Sequence, residues 1–189
     1  MPEKPNKKIV DNYHIYEKVR HESKEIDRAN ICLIDKKNKA NAKIATCNVK
    51  SVQVGDLELL IEASKDYTKR YGFKLMSKTI CPQPFFRFDA SGGAHNNNSP
   101  NTPLSNRQVR TPHFQYYDDL GHNTAYQTDE LKNSKVVAEI EKDINKGVEL
   151  FCEESVTFTD NMSYPFIERY DGVIFKTSNT DPLKNINFE

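Results

Sequence analysis

The spacing of apolar and polar residues changes period several times along this chain, and each change marks an element. From Tyr13 the apolar positions Ile15, Tyr16, Val19 and Ile26 lie closer to a helical stripe than to alternation. Ile31-Cys32-Leu33-Ile34 is a short apolar run that reads as a strand, ended by the polar tract 35–43. Residues 43–54 alternate in their second half, as a half-buried strand does, and Gly55 breaks the run. Asp56 then stands as an N-cap before a helix predicted over 57–71, with Leu57, Leu60, Ile61, Ser64 and Thr68 on one face and Gly72 as its stop. Strands follow at 73–80 and, after Pro82 and Pro84 force an extended chain, at Phe85–Asp89. Arg87 and Asp89 share one face of that strand, because side chains alternate across it.

Residues 90–111 read as a long polar loop, of the length that tends to carry function when it has no structure of its own. His113–Tyr117, a turn at Asp118–Gly121 and Asn123–Thr128 predict a β-hairpin. Asp129 caps a helix predicted over 130–146 on Leu131, Val136, Val137, Ile140 and Ile144; Gly147 punctuates it, and a second helical piece, 148–153, follows. A last strand is predicted from Gly172 to Lys176, and 1–12 and 178–189 read as loose. No internal repeat is visible. The expected fold class is α+β: a mostly antiparallel sheet of about five strands with helices packed on one face, in a single domain over 1–189.

Composition narrows the partners. The 27 basic and 27 acidic side chains cancel, which removes a global pull toward nucleic acid and leaves only a local basic patch as a means of holding one. No apolar run approaches the roughly 20 residues of a bilayer span. The opening Met-Pro-Glu-Lys-Pro-Asn-Lys-Lys has no apolar stretch behind its charges, so a cytoplasmic protein without a membrane partner is expected. Cys32, Cys47, Cys81 and Cys152 form no close pair, which predicts reduced and mostly buried thiols.

Candidate chemistry gathers in 85–128, which holds His95, His113 and His122 of the five histidines. Cleaving an RNA phosphodiester through its 2′-hydroxyl requires a base, an acid and a cation for the developing charge. His95 and His113 supply the first two, Arg87 a bidentate phosphate clamp, and Tyr117 a proton donor or orienting group. Phe114 and Tyr116 offer stacking surfaces for unpaired bases. This route is metal-independent and uses no cofactor. His95, His113, His122 and Asp89 are also metal-ligand types, but none of their spacings forms a ligand pair, so no metal ligands are assigned. A third reading is a non-catalytic protein- or ligand-binding module, with Tyr116, Tyr117 and Tyr126 on an exposed hairpin beside the Asn-rich loop 96–101. Against all of these, Arg87 and Asp89 also read as a surface ion pair, and Gly92-Gly93 as a simple turn.

The order Arg87, Asp89, Gly92, His95, Asn97, then Pro112, His113, Tyr117 (or Tyr116) and Ala125 resembles an uncharacterised bacterial domain family. Its members read Arg-x-Asp-x-x-Gly-x-x-His-x-Asn followed by Pro-His-x-His-x-Tyr. More distantly the pattern is similar to the Arg-Tyr-Asp and Pro-His-His motifs of TumE-type toxins from bacterial toxin–antitoxin pairs. Gln115 stands where the family has a second histidine. The resemblance implies a toxin-like or defence-associated bacterial or phage protein that engages RNA or nucleotides. An antitoxin or defence component would be its protein partner, and Asp89, Asn97 and Gln115 would join the binding residues.

Overall fold

The middle of this chain folds as a meander of consecutive antiparallel strands, with pairings between segments far apart in sequence on either side of it. A computed structural model describes residues 4–39, 41–65 and 70–168. Two short helices, α1 (Lys7–Asp11) and α2 (Tyr13–His21), lead into strands β1 (Lys24–Ile26), β2 (Asn30–Cys32), β3 (Ile34–Asp35) and β4 (Ala42–Lys50). Next come β5 (Glu58–Ser64), β6 (Tyr71–Ser77), β7 (Cys81–Asp89) and β8 (His95–Asn96). After a 3-10 turn at Leu104–Asn106 lie β9 (Gln108–Val109), β10 (His113–Tyr117) and β11 (Asn123–Tyr126). Helices α3 (Asp129–Lys132), α4 (Ser134–Lys142) and α5 (Ile144–Ser155) follow, then strands β12 (Thr157–Phe158) and β13 (Phe166–Glu168).

The main sheet has nine strands: eight in the order β11-β10-β7-β6-β5-β4-β1-β12, and β3 beside β4. Its pairings are antiparallel except β1 with β12. The fold is therefore mixed helix and sheet, with more strands than the five expected. The largest correction is at 57–71, which is not a helix. Leu59, Ile61 and Ala63 point inward at period two and pair across to Leu75, Phe73 and Tyr71 on β6. Leu57, Leu60 and Ile61 also fit a helical stripe, and only the neighbouring strands decide between the two. Asp56 caps no helix; its carboxylate accepts from Ser77 Oγ at 2.6 Å and from the Thr79 N–H at 3.0 Å.

Helices α4 and α5 cover one face of the sheet. Beneath them Phe88 stacks on Phe73 at 5.9 Å between ring centres and meets Phe114 at 5.0 Å, while Phe151 of α5 lies 5.3 Å from Phe73. Tyr71 donates its hydroxyl to the Ile140 carbonyl at 2.8 Å. α5 approaches so closely at Gly147 that a Cβ there would sit 2.6 Å from the Tyr71 ring. The predicted helix over 130–146 is three helices, and Gly147 lies inside the third. Asn133 and Asp143 take extended backbone and cap the following helix through their side chains, accepting from Lys135 N and Asn145 N.

The opening segment is docked where a loose leader was expected. Asn6 caps α1, Ile9 is fully buried, and the Asn6 N–H donates to the Gly121 carbonyl at 2.7 Å. Residues 90–111 contain the β8–β9 pair and the 3-10 turn, so the expected bare loop has structure of its own. The expected hairpin of β10 and β11 is present, with Phe114 opposite Tyr126. The strand expected from Gly172 to Lys176, and the segment 178–189, lie outside the described residues. Cys47, Cys81 and Cys152 are buried free thiols, and Cys32 is exposed. No described helix is long and apolar enough to cross a membrane.

Candidate functional site

The face of the sheet opposite the aromatic core carries two transverse rows of side chains. Registry sets Glu62 of β5 opposite Gly72 of β6, Gly72 opposite Asp89 of β7, and Asp89 opposite His113 of β10. The next row runs Leu60, Lys74, Arg87, Gln115 and Ala125. Since Phe73, Phe88 and Phe114 point to the core, alternation turns all of these the other way. Gly72 is needed here, because a Cβ at that position would lie 2.8 Å from the Phe88 carbonyl oxygen and 3.3 Å from Asp89 Oδ1.

Asp89 is the hub. Its Oδ1 accepts from Arg87 Nη2 at 2.7 Å and its Oδ2 from Gln115 Nε2 at 2.6 Å. Burial pushes its carboxyl up, but His113 and Arg87 beside it more than offset that and hold it below the usual carboxylate range. The His113 ring is only 2% exposed. Its Nδ1 lies 3.2 Å from the Arg110 carbonyl, which can only accept, so Nδ1 carries a proton. Nε2 lies 2.8 Å from Gln115 Nε2 and 3.6 Å from Asp89 Oδ2. Asn123 Nδ2 donates to Gln115 Oε1 at 3.1 Å and fixes which way that amide faces. His95 sits edge-on to His113, 6.0 Å between ring centres, and donates Nε2–H to the Asn123 carbonyl at 3.2 Å.

The structure thus brings together Arg87, Asp89, His95, His113 and Gln115, but His113 is packed beneath the face and not presented on it. Tyr117 is elsewhere, roughly 13 Å along β10 from His113 by strand rise. Its ring is buried, and its backbone N–H donates at 2.9 Å to Tyr16 Oη, which in turn donates to the Tyr117 carbonyl at 3.0 Å. Phe114, Tyr116 and Tyr126 point to the opposite, helix-covered face. Phe114 lies 5.7 Å from Tyr126, Arg20 stacks 4.2 Å over Tyr116, and Tyr126 donates its hydroxyl to Glu154 at 2.6 Å. They lie on the side of the sheet away from Arg87 and Asp89, because odd and even positions of β10 face opposite ways. Asn97 is a structural residue: its side-chain amide accepts from Ala125 N at 2.7 Å and donates to Ala125 O at 2.9 Å, closing the edge of β11 as a strand would. His122 lies in the turn, its N–H bonded to Asp118 Oδ1.

Beside the Asp89 hub opens a cleft of about 860 Å³. Among its described lining residues four cations, Lys39, Arg70, Lys74 and Arg87, face two carboxylates, Glu62 and Asp89. Ser91-Gly92-Gly93 forms one wall, where a Cβ on either glycine would meet nothing. Arg87 bonds Asp89 through one nitrogen only, and its Nε and Ser91 Oγ are buried without a hydrogen-bond partner among the described residues. Glu62 is bridged by Lys36 and Lys74. Burial opposes its ionisation, but the two ammonium groups overcome this and hold it near about 2. Sequence reading missed Glu62, Arg70 and Lys74, since the first two were assigned to a helix and the third lies on a strand whose partners only registry reveals.

The Glu62 bridge makes a testable contribution to stability. A carboxyl held below its ordinary value stabilises the fold above that value, and the benefit drains away as pH falls from 4.5 toward about 2. Glu62→Gln should therefore cost roughly 1–3 kcal/mol near neutrality, discounted for partial exposure, and much less near about pH 2. Chemical denaturation at both pH values measures it; equal losses at both would contradict the assignment.

No group of three or more His, Cys, Asp or Glu side chains among the described residues is placed to hold a metal ion. The chain matches no family model, and no curated protein and no solved structure shows significant similarity to it. The motif resemblance rests on its own residues.

Proposed function

We propose that the cleft beside Asp89 binds a small phosphate-bearing ligand of the nucleotide class. The observation that carries this reading is a local excess of cations, Lys39, Arg70, Lys74 and Arg87 against Glu62 and Asp89, on a chain whose overall charge is zero. Arg87, one-third exposed and bonded to Asp89 through a single nitrogen, keeps the rest of its guanidinium fork for a phosphate. The volume lies within the range of small-molecule sites. A base-stacking RNA platform is less well supported, because Phe114, Tyr116 and Tyr126 belong to the opposite face. A toxin-like or defence-associated role, with an antitoxin or defence component as partner, draws its support from the motif resemblance alone.

Calorimetric titration with adenosine and guanosine monophosphates tests the reading. Binding to the wild type, weakened about 10- to 100-fold by Arg87→Ala, is expected from loss of a charge-assisted hydrogen-bond pair. Binding that is undiminished in that variant would remove Arg87 from the site.

Metal-independent RNA cleavage is a second reading, favoured by the 6.0 Å separation of the His95 and His113 rings. His95 would be the imidazole that reaches substrate, since His113 is buried. RNA incubated with wild type should then acquire cyclic-phosphate ends that His95→Ala fails to produce. An inert wild type ends this reading while leaving nucleotide binding intact.

A further inference from the structure

We infer that the cleft takes a nucleoside phosphorylated on both its 3′ and its 5′ oxygen, with one phosphate at each end of a trough floored by Gly72. The inference rests on the phosphate-binding reading of the cleft and adds the class of ligand. Sheet register sorts the lining charges into three successive rows. At one end Ala42 stands opposite Ser64, whose N–H donates to the Arg70 carbonyl at 2.7 Å. Arg70 therefore belongs to that row, and Lys39 lies in the turn that leads into Ala42. The middle row is Glu62, Gly72 and Asp89, and the far row sets Lys74 directly opposite Arg87. Along the strands the charge runs positive, negative, positive.

This order constrains what can lie in the trough. Arg70 and Lys74 are four residues apart on one face of the sheet, roughly 13 Å by strand rise. Gly72 lies midway between them and carries no side chain, so nothing on that strand divides the two ends. Glu62 and Asp89 stand on either side of it, roughly 10 Å apart across two strand spacings. Both carboxylates repel a phosphate seated between them, whereas a hydroxyl can donate to either one. Lys36 and Lys74 take one oxygen each of Glu62, and Arg87 and Gln115 one each of Asp89, which leaves acceptor capacity on every oxygen. Lys74 and Arg87 are like charges in a cross-strand pair, an unfavourable arrangement that Glu62 and Asp89 relieve in part and a phosphate would relieve further.

A nucleoside 3′,5′-bisphosphate presents the complementary order: phosphate, ribose with its free 2′-hydroxyl, phosphate. Two phosphates flanking one ribose, each reached through a charge-assisted hydrogen bond of about 2.8 Å, need a span of this order. A 5′-diphosphate places both phosphates at one end and leaves the other cations unmet. Tyr71, the aromatic residue at the cleft, turns its ring toward α5 and its hydroxyl to the Ile140 carbonyl. The base therefore finds no stacking surface among the described lining residues, and the phosphates and sugar carry the affinity.

Calorimetric titration of the wild type with adenosine 5′-monophosphate, adenosine 5′-diphosphate and adenosine 3′,5′-bisphosphate tests this. The 3′,5′ compound should bind about 10- to 100-fold more tightly than the monophosphate, the effect of a second charge-assisted contact. It should also bind more tightly than the 5′-diphosphate, which carries the same number of phosphates. In Arg70→Ala, whose exposed side chain is not part of the core, the ratio of bisphosphate to monophosphate affinity should fall toward one. Equal wild-type affinity for the monophosphate and the 3′,5′-bisphosphate overturns the inference and leaves the phosphate-binding reading standing. So does a 5′-diphosphate that matches the 3′,5′ compound, since charge alone would then decide, or an unchanged ratio in Arg70→Ala. Failure of all three nucleotides to bind overturns the phosphate-binding reading itself.

Discussion

Phe88→Ala lowers the unfolding free energy by about 3–5 kcal/mol, the loss expected when a fully buried aromatic ring is deleted from a core that cannot close over it. Phe88 has no exposure and touches rings on three sides: Phe73 at 5.9 Å, Tyr71 at 6.3 Å and Phe114 at 5.0 Å. These neighbours stand on β6 and β10, the strands that flank β7, so they cannot collapse inward without breaking sheet registry. The same strand carries Arg87 and Asp89 on its other face. The damage therefore reaches the cleft, and ligand affinity should fall even at temperatures where the variant remains folded. Urea unfolding with a matched binding titration measures both; a loss under about 1 kcal/mol would mean that the core repacks freely, against the close-packed picture.

Asn97→Ala should cost about 2–4 kcal/mol, more than a surface asparagine warrants, because three backbone groups, two of them buried, lose their partner at once. The Ala125 N–H, the Ala125 carbonyl and the Asn106 carbonyl all bond to its amide, at 2.7, 2.9 and 2.7 Å. Asn97 lies just beyond β8, so its loss should also release His95 from the Asn123 carbonyl and from the edge of His113. Hydrogen exchange resolves the two consequences. The Ala125 amide and the β8–β9 amides should lose protection together, while those of β5 and β6 hold theirs. Unchanged protection at Ala125 would show that the side-chain bridge carries no weight.

What could be read from the sequence divides along physical lines. The β10–β11 hairpin was legible because its signal is local: alternating residues and a Gly-bearing turn specify both strands and their pairing. The segment 57–71 was misread because Leu57, Leu60 and Ile61 fit a helical stripe while Leu59, Ile61 and Ala63 fit a strand, and the choice was made by β4 and β6, which no local window contains. Asn133 and Asp143 broke the long helix because their side chains compete for backbone N–H groups, a capping signal hidden within an unbroken apolar stripe.

The site follows the same rule. Arg87 with Asp89 was visible as a same-face pair two residues apart. Phe114, Tyr116 and Tyr126 were grouped with them only by ignoring that their positions point the other way. The link from Asp89 through Gln115 to His113 and on to Asn123 depends on which strands are neighbours, as do Glu62 and Lys74. Only the sheet order supplies that.

The central claim is that phosphate is held on the polar face of β5, β6 and β7, and amide chemical-shift mapping during titration with adenosine monophosphate tests it most directly. Gly72, Lys74, Arg87, Gly92 and Gly93 should show the largest changes, with the amides of α4 and α5 behind the sheet nearly still. Changes concentrated on the far side, around β12 and β13, or none at saturating ligand, would contradict the account.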